Sequence, residues 1–203
     1  KSHREHTTIG SAPAAVRSEA DKAVRDLNWK GSHYVDADHI GLDNVDLFVD
    51  SSNFFTLDVA DFTGQEADDA AIAEFTAKYS KLYAGSLSIP DIAEPLYIAA
   101  EDIRAIARKY LLAVQEAGKI YRHIADVKGV ENFVTEVSMD ETDTPQTPLE
   151  LLFILAAIAD EQIPAQTIAP KFSGRFHKGV DYVGDVNLFA KEFNDDLAVI
   201  AFA

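Results

Sequence analysis

Cysteine is absent from all 203 residues, which excludes disulfide bridges, thiolate-held zinc and a cysteine nucleophile. Basic residues are scarce: 18 Lys and Arg stand against 34 Asp and Glu, for a formal net charge of -16 and a sequence pI near 4.6. Binding a phosphate backbone needs a basic footprint, so no nucleic-acid partner is expected. Acidity of this kind is otherwise a statement about solubility and leaves room for a local cationic pocket. No apolar run approaches a membrane span and no secretory leader is visible, so no membrane partner is expected and the cytoplasm is the expected compartment. Internal repeats, low-complexity tracts and linkers are also missing.

What is present reads as one globular domain over residues 1–203, with 47% hydrophobic and 26% charged residues, enough for a sizeable core. The chain is expected to be part of a longer protein. It starts at Lys1 rather than Met, and its last helical pattern runs into Ala203 with no closing Gly, Asn or basic turn. A homo-oligomer is compatible with this composition.

The stretch Ser32 to Gly41 organises the rest. Alternation predicts a half-buried strand with Asp36 and Asp38 on one face and Val35 and Ala37 on the other. His39 follows directly, and Gly41 permits the turn out. Two carboxylates on the inward side of a strand are costly without a partner or a metal, and an imidazole at the strand's end supplies a ligand or proton carrier.

Elsewhere the pattern alternates helix and strand. Residues 14–27 read as an amphipathic helix carrying Val16, Ala20, Val24 and Leu27 on one stripe. Residues 53–60 read as a strand with Phe54, Thr56 and Asp58 on one face. Residues 66–83 carry Ile72, Phe75, Tyr79 and Leu82 at helical spacing, and Gly85 and Pro90 then break the chain. A long helix spans 101–126, weakened at Gly118. A third strand covers 132–139, with Val134, Glu136 and Ser138 sharing a face. Thr147, Pro148 and Glu150 make a helix start with a capping box, and Leu151, Leu152, Leu155, Ile158 and Ala159 form the stripe behind it. The fourth strand is read over 165–172, with Thr167, Ala169 and Lys171 on one face. After a cationic loop, Asp185 caps a last helix whose apolar positions are Leu188, Phe189, Phe193, Leu197 and Ile200.

This order implies an α/β fold with a parallel sheet. Functional-looking residues close every strand, as in a (β/α)8 TIM barrel or an open doubly wound sheet. With four strands, the expectation is a partial TIM barrel forming a single catalytic domain.

Each site residue has a bland reading. Asp36 or Asp38 could cap a turn, His39 could be a packed histidine, and Glu136 could pair with Lys171 inside the barrel. Their common position favours a shared pocket. His39, His177 and Glu136 are then candidate ligands for Zn²⁺, Mn²⁺ or a similar divalent ion, which would polarise a substrate carbonyl. Asp38, Asp58 or Glu141 could move protons, and Glu136 is a second candidate for that role. Lys171, Arg175, Lys178 and Asp181 are candidates to hold the substrate, the cations as partners for an anionic group or as members of a solvated loop. No Gly-rich phosphate cradle is present, which favours a free sugar or sugar acid over a phosphorylated one. His3, His6 and His123 carry no functional reading.

Residues 34–46 (YVDADHIGLDNVD), 53–60 (NFFTLDVA) and 169–185 (APKFSGRFHKGVDYVGD) resemble the tagaturonate epimerase family. The likeness spans most of the chain and is most specific in the last segment. It implies the middle of a longer isomerase that interconverts tagaturonate and fructuronate at C4, using a divalent metal on a TIM barrel. More distantly, Asp38-His39, Thr135-Glu136-Val137 and His177 are similar to motifs of class II ketose-bisphosphate and tagatose-bisphosphate aldolases, although Phe176-His177-Lys178 differs from their Val-His-Gly. That likeness implies a retro-aldol route, with Asp38 taking the C4 hydroxyl proton before the aldehyde fragment rotates and re-adds. Another metal-dependent sugar aldolase or isomerase, and a non-catalytic aldolase-like subunit, are the competing readings.

Overall fold

The computed structural model describes residues 1–140, 142–177 and 179–203. Among them the chain divides into two compact units, each drawn from three stretches of sequence. The first comprises Lys1–Val59, Glu116–Ser138 and Ile163–Ala169, and the second Ala60–Gln115, Met139–Gln162 and Pro170–Ala203.

The first unit holds a parallel sheet of four strands: β1 (Asp36–Ile40), β2 (Phe54–Asp58), β5 (Val134–Ser138) and β6 (Thr167–Ala169), side by side in that order. Alternation behaves as the sequence implies. Ala37, Phe55, Leu57, Val59 and Val137 are buried, while Asp36, Asp38, Asp58 and Glu136 are half-buried on the other side. Helices α1 (His3–Ile9) and α2 (Pro13–Asp26) precede the sheet. Ser2 caps α1 through a reciprocal box with Glu5 and also pairs in parallel with Asp38. The apolar stripe of α2 is only half covered, and Leu27 is exposed. Helix α4 (Ala100–Lys128) runs through Gly118 unbroken, and residues 116–128 belong to this unit. There Tyr121 packs on Phe133, which meets Phe55 edge-on at 5.6 Å.

The second unit holds α3 (Asp69–Tyr83), the first part of α4, α5 (Pro148–Asp160) and α6 (Val186–Phe202). Phe75, Tyr79 and Tyr83 of α3 pack around Phe153 of α5, and the Tyr79 hydroxyl donates to the Ala156 carbonyl. The capping box is present: Thr147 accepts from the Glu150 amide and Glu150 from the Thr147 amide. Glu150 also accepts from Lys109 at 2.7 Å and from the Tyr110 hydroxyl at 3.1 Å.

Some features of the fold depart from the sequence reading. Residues read as a break form a short antiparallel hairpin, β3 (Gly85–Leu87) with β4 (Leu96–Ile98); three-residue strands are too short to show alternation. Leu82, and Leu188, Phe193, Leu197 and Ile200 of α6, are exposed, while α6 buries Asp196, Ala198 and Val199. Helical spacing identifies an apolar stripe but not what covers it. Finally, β6 ends at Ala169, so Lys171 lies beyond the strand.

Candidate active site

The site is built on the first unit's sheet. Thr56 of β2 stands directly opposite Glu136 of β5, and Asp58 opposite Ser138. On the other side Asp36 is in register with Phe54, one step diagonal from Thr56. The pleat therefore gives Asp36, Thr56, Asp58 and Glu136 the same face.

Between Ala37 and Ile40 the β1–β2 register shifts: three residue steps on β1 match two on β2, from Phe55 to Leu57. This is a bulge, and His39 occupies it with φ of 54°, a left-handed conformation uncommon outside glycine. The extra residue returns Ile40 to the buried side with Ala37, which strict alternation would not do. It also re-aims the imidazole: Nδ1 lies 3.3 Å from Asp58 Oδ2, and Nε2 lies 3.6 Å from Asp38 Oδ1. Such outliers are stored where the surrounding structure over-determines them, often at functional sites.

A lower layer joins two carboxylates through one hydroxyl. Thr56 Oγ1 is 3.2 Å from Asp36 Oδ1 and 3.4 Å from Glu136 Oε1. Burial pushes the Asp36 carboxyl up, the Asp38 charge adds to this, and the Thr56 hydrogen bond opposes it. The result is a pKa of about 6, close to where general acid–base catalysis works best. Asp36 therefore contacts a side chain of the neighbouring strand rather than capping a turn. Sequence reasoning gave Thr56 no role; its place on the same strand face as Asp58 was the available signal.

In the second unit, Lys171 begins the segment leading into the loop. Gln146, which is buried, holds it: the side chain accepts from the Lys171 amide and donates to the Met139 carbonyl and the Thr142 hydroxyl. Beyond it, Arg175 pairs with Val183 across the loop, and Arg175, His177 and Asp181 are exposed. The Tyr182 hydroxyl donates to the Ser173 carbonyl, and Ser173 is bound by Glu192. Gly174 has φ of +89°, and a Cβ there would fall 2.3 Å from the Tyr182 hydroxyl oxygen, so the loop requires glycine at this point. Glu141 and Lys178 lie outside the described residues.

The structure thus gathers Asp36, Asp38, His39, Asp58 and Glu136 on one sheet, and Lys171, Arg175, His177 and Asp181 in one segment of the other unit. The imidazole and carboxylates are donors that a borderline divalent ion takes, and a carboxylate on Nδ1 is the usual way of orienting a ligating histidine. Among the described residues, however, no three His, Asp or Glu side chains are grouped to hold one ion. No helix among them is long and apolar enough to cross a membrane.

A family model for tagaturonate epimerase matches residues 1–201. The tagaturonate/fructuronate epimerase of Thermotoga maritima is 26% identical over 203 residues, covering 95% of this chain and 41% of that protein. Crystal structures of the fructuronate-tagaturonate epimerase UxaE from Cohnella laeviribosi have the same fold. The form complexed with one glycerol superposes with a TM-score of 0.81 at 22% identity, over 100% of this chain and 44% of that one. The native form gives 0.77 at 20% identity, over 100% and 44%. The chain therefore spans less than half the length of these relatives.

Proposed function

We propose that this chain, which belongs to the tagaturonate epimerase family, is part of an isomerase that interconverts tagaturonate and fructuronate by inverting C4. The observation that carries the reading is the bulged end of β1, where His39 lies between Asp58 and Asp38 on the polar face of a parallel sheet. Ligands of parallel α/β sheets bind beyond the carboxyl ends of the strands. We read the four strands as consecutive members of a TIM barrel within a single catalytic domain.

In the chemistry proposed, Asp38 accepts the proton of the C4 hydroxyl as the C3–C4 bond breaks. The bonding pair passes to C3 as an enediolate, and C4 becomes an aldehyde. Rotation of that fragment and re-addition of C3 to its other face restores the bond with C4 inverted, Asp38 returning the proton. Asp58 orients His39 through Nδ1. Glu136 and Asp58 are further proton-transfer groups, and Asp36, its carboxyl pushed up to about 6 by burial, lies beside Thr56.

A divalent ion, Zn²⁺ or Mn²⁺, belongs to the proposal, with His39 and Glu136 on the polar face of the sheet as protein ligands. When bound it would polarise the substrate ketone and stabilise negative charge. Lys171, Arg175, Lys178 and Asp181 are proposed to hold the sugar acid, the cations pairing with its carboxylate. The proposed partner is this small molecule, the proposed compartment is the cytoplasm, and a homo-oligomer is part of the same proposal.

Incubating the full-length protein with tagaturonate and following the C4 proton by NMR tests this. Fructuronate should accumulate to an equilibrium mixture. Three-carbon cleavage products in its place would make the protein an aldolase, and no turnover in metal-replete enzyme would favour a non-catalytic module.

A further inference from the structure

The geometry points to Thr56 as the positioning residue of this site, its hydroxyl holding the carboxylates of Asp36 and Glu136 in a fixed relation across three adjacent strands. The inference rests on the epimerase reading for its kinetic consequence and on geometry alone for its structural one.

A threonine in a central strand has an ordinary explanation, because β-branched side chains suit a pleated sheet. Two observations go beyond it. Thr56 is 5% exposed, so its hydroxyl is a buried polar group that valine would spare the sheet while filling the same space. Its hydrogen-bonding neighbours are two acids, one on each flanking strand, at 3.2 Å and 3.4 Å. The register makes this possible: Glu136 stands directly opposite Thr56 and Asp36 one diagonal away.

A hydroxyl offers one donor and two lone pairs. Its one proton serves one of the two carboxylates at a time, and the oxygen stands between neighbours on both sides of β2 without adding charge to a face that already carries Asp36, Asp38, Asp58 and Glu136. Lysine or arginine in its place would form tight ion pairs and quench the bases. Removing the oxygen leaves the acids to repel one another and turn apart. Misplacement by about 1 Å is enough to cost on the order of a hundredfold in rate.

The test compares T56V, which keeps the shape and loses the oxygen, with T56S, which keeps the oxygen. In full-length enzyme that epimerises tagaturonate, T56V should lose about ten- to a hundredfold in kcat, with KM within about twofold. T56S should stay within about threefold of wild type in kcat. Full kcat in T56V, or equal losses in folded T56V and T56S, would overturn the inference. If T56V does not fold, T56C, of similar size with a weak donor, takes its place and should show the same loss. Wild-type enzyme inactive on tagaturonate would count against the epimerase reading and not against Thr56. The crystal structure of T56V (or T56C) decides independently of substrate. The Asp36 and Glu136 carboxylates should move apart relative to wild type, and unchanged positions would show that Thr56 does not position them.

Discussion

His39 on β1 and Asp58 at the end of β2 are joined across the sheet, imidazole Nδ1 to carboxylate Oδ2, at 3.3 Å. The contact depends on the bulge, since only the left-handed backbone at His39 lets a residue at that position reach the polar face. An acid at this place fixes the tautomer and direction of the ring. Substituting D58N keeps a hydrogen-bonding partner but removes the charge. It should lower kcat by roughly ten- to a hundredfold, within the range for losing a ligand's orienting partner. Steady-state kinetics on full-length enzyme would check this, and an unchanged kcat would detach Asp58 from the mechanism.

Glu150 accepts from Lys109, the Tyr110 hydroxyl and the Thr147 amide in the second unit. Burial pushes its carboxyl up, but Lys109 and the Thr147 amide outweigh this and hold it below the ordinary range. A group held low contributes stability above its unfolded value and loses that contribution as pH falls through its folded value. E150A removes the Glu150 side-chain half of the capping box, the Lys109 ion pair and the Tyr110 partner together. It should cost about 2–3 kcal/mol by denaturant unfolding near neutral pH, and the difference from wild type should shrink in strong acid.

Asp196 has the opposite sign. It is 5% exposed, and burial, with the Asp195 and Glu192 charges, pushes its carboxyl up to about 7. The folded protein therefore binds this proton more tightly than the unfolded chain, so stability increases as pH falls from above 7 toward 4. The effect is worth about 1.4 kcal/mol for each tenfold difference in proton affinity. D196N should raise the melting temperature at pH 8 and flatten its dependence on pH between 5 and 8. A variant with the wild-type slope would remove Asp196 from that dependence.

Much of this was legible in the chain itself. Residues 36–38 alternate as a strand, Thr147-Pro148-x-Glu150 marks a helix start, and Asp185 caps α6, accepting from the Asn187 and Leu188 amides. Each is a local rule with a local cause. The bulge at His39 was not legible, because a one-residue register shift is decided by the partner strand. Thr56 does not stand out in the chain for a related reason: its significance comes from Asp36, 20 residues away, and Glu136, 80 residues away. The exposed stripe of α6 shows the limit of periodicity, which orients a helix without supplying the surface that it faces.

The most direct measurement is C4 inversion of tagaturonate by full-length wild-type and D38N enzymes, followed by NMR alongside the metal content of both. Wild type should epimerise tagaturonate, D38N should lose at least a hundredfold, as expected for removing a general base, and both should carry the same metal content. Undiminished C4 inversion in D38N would rule out Asp38 as the base.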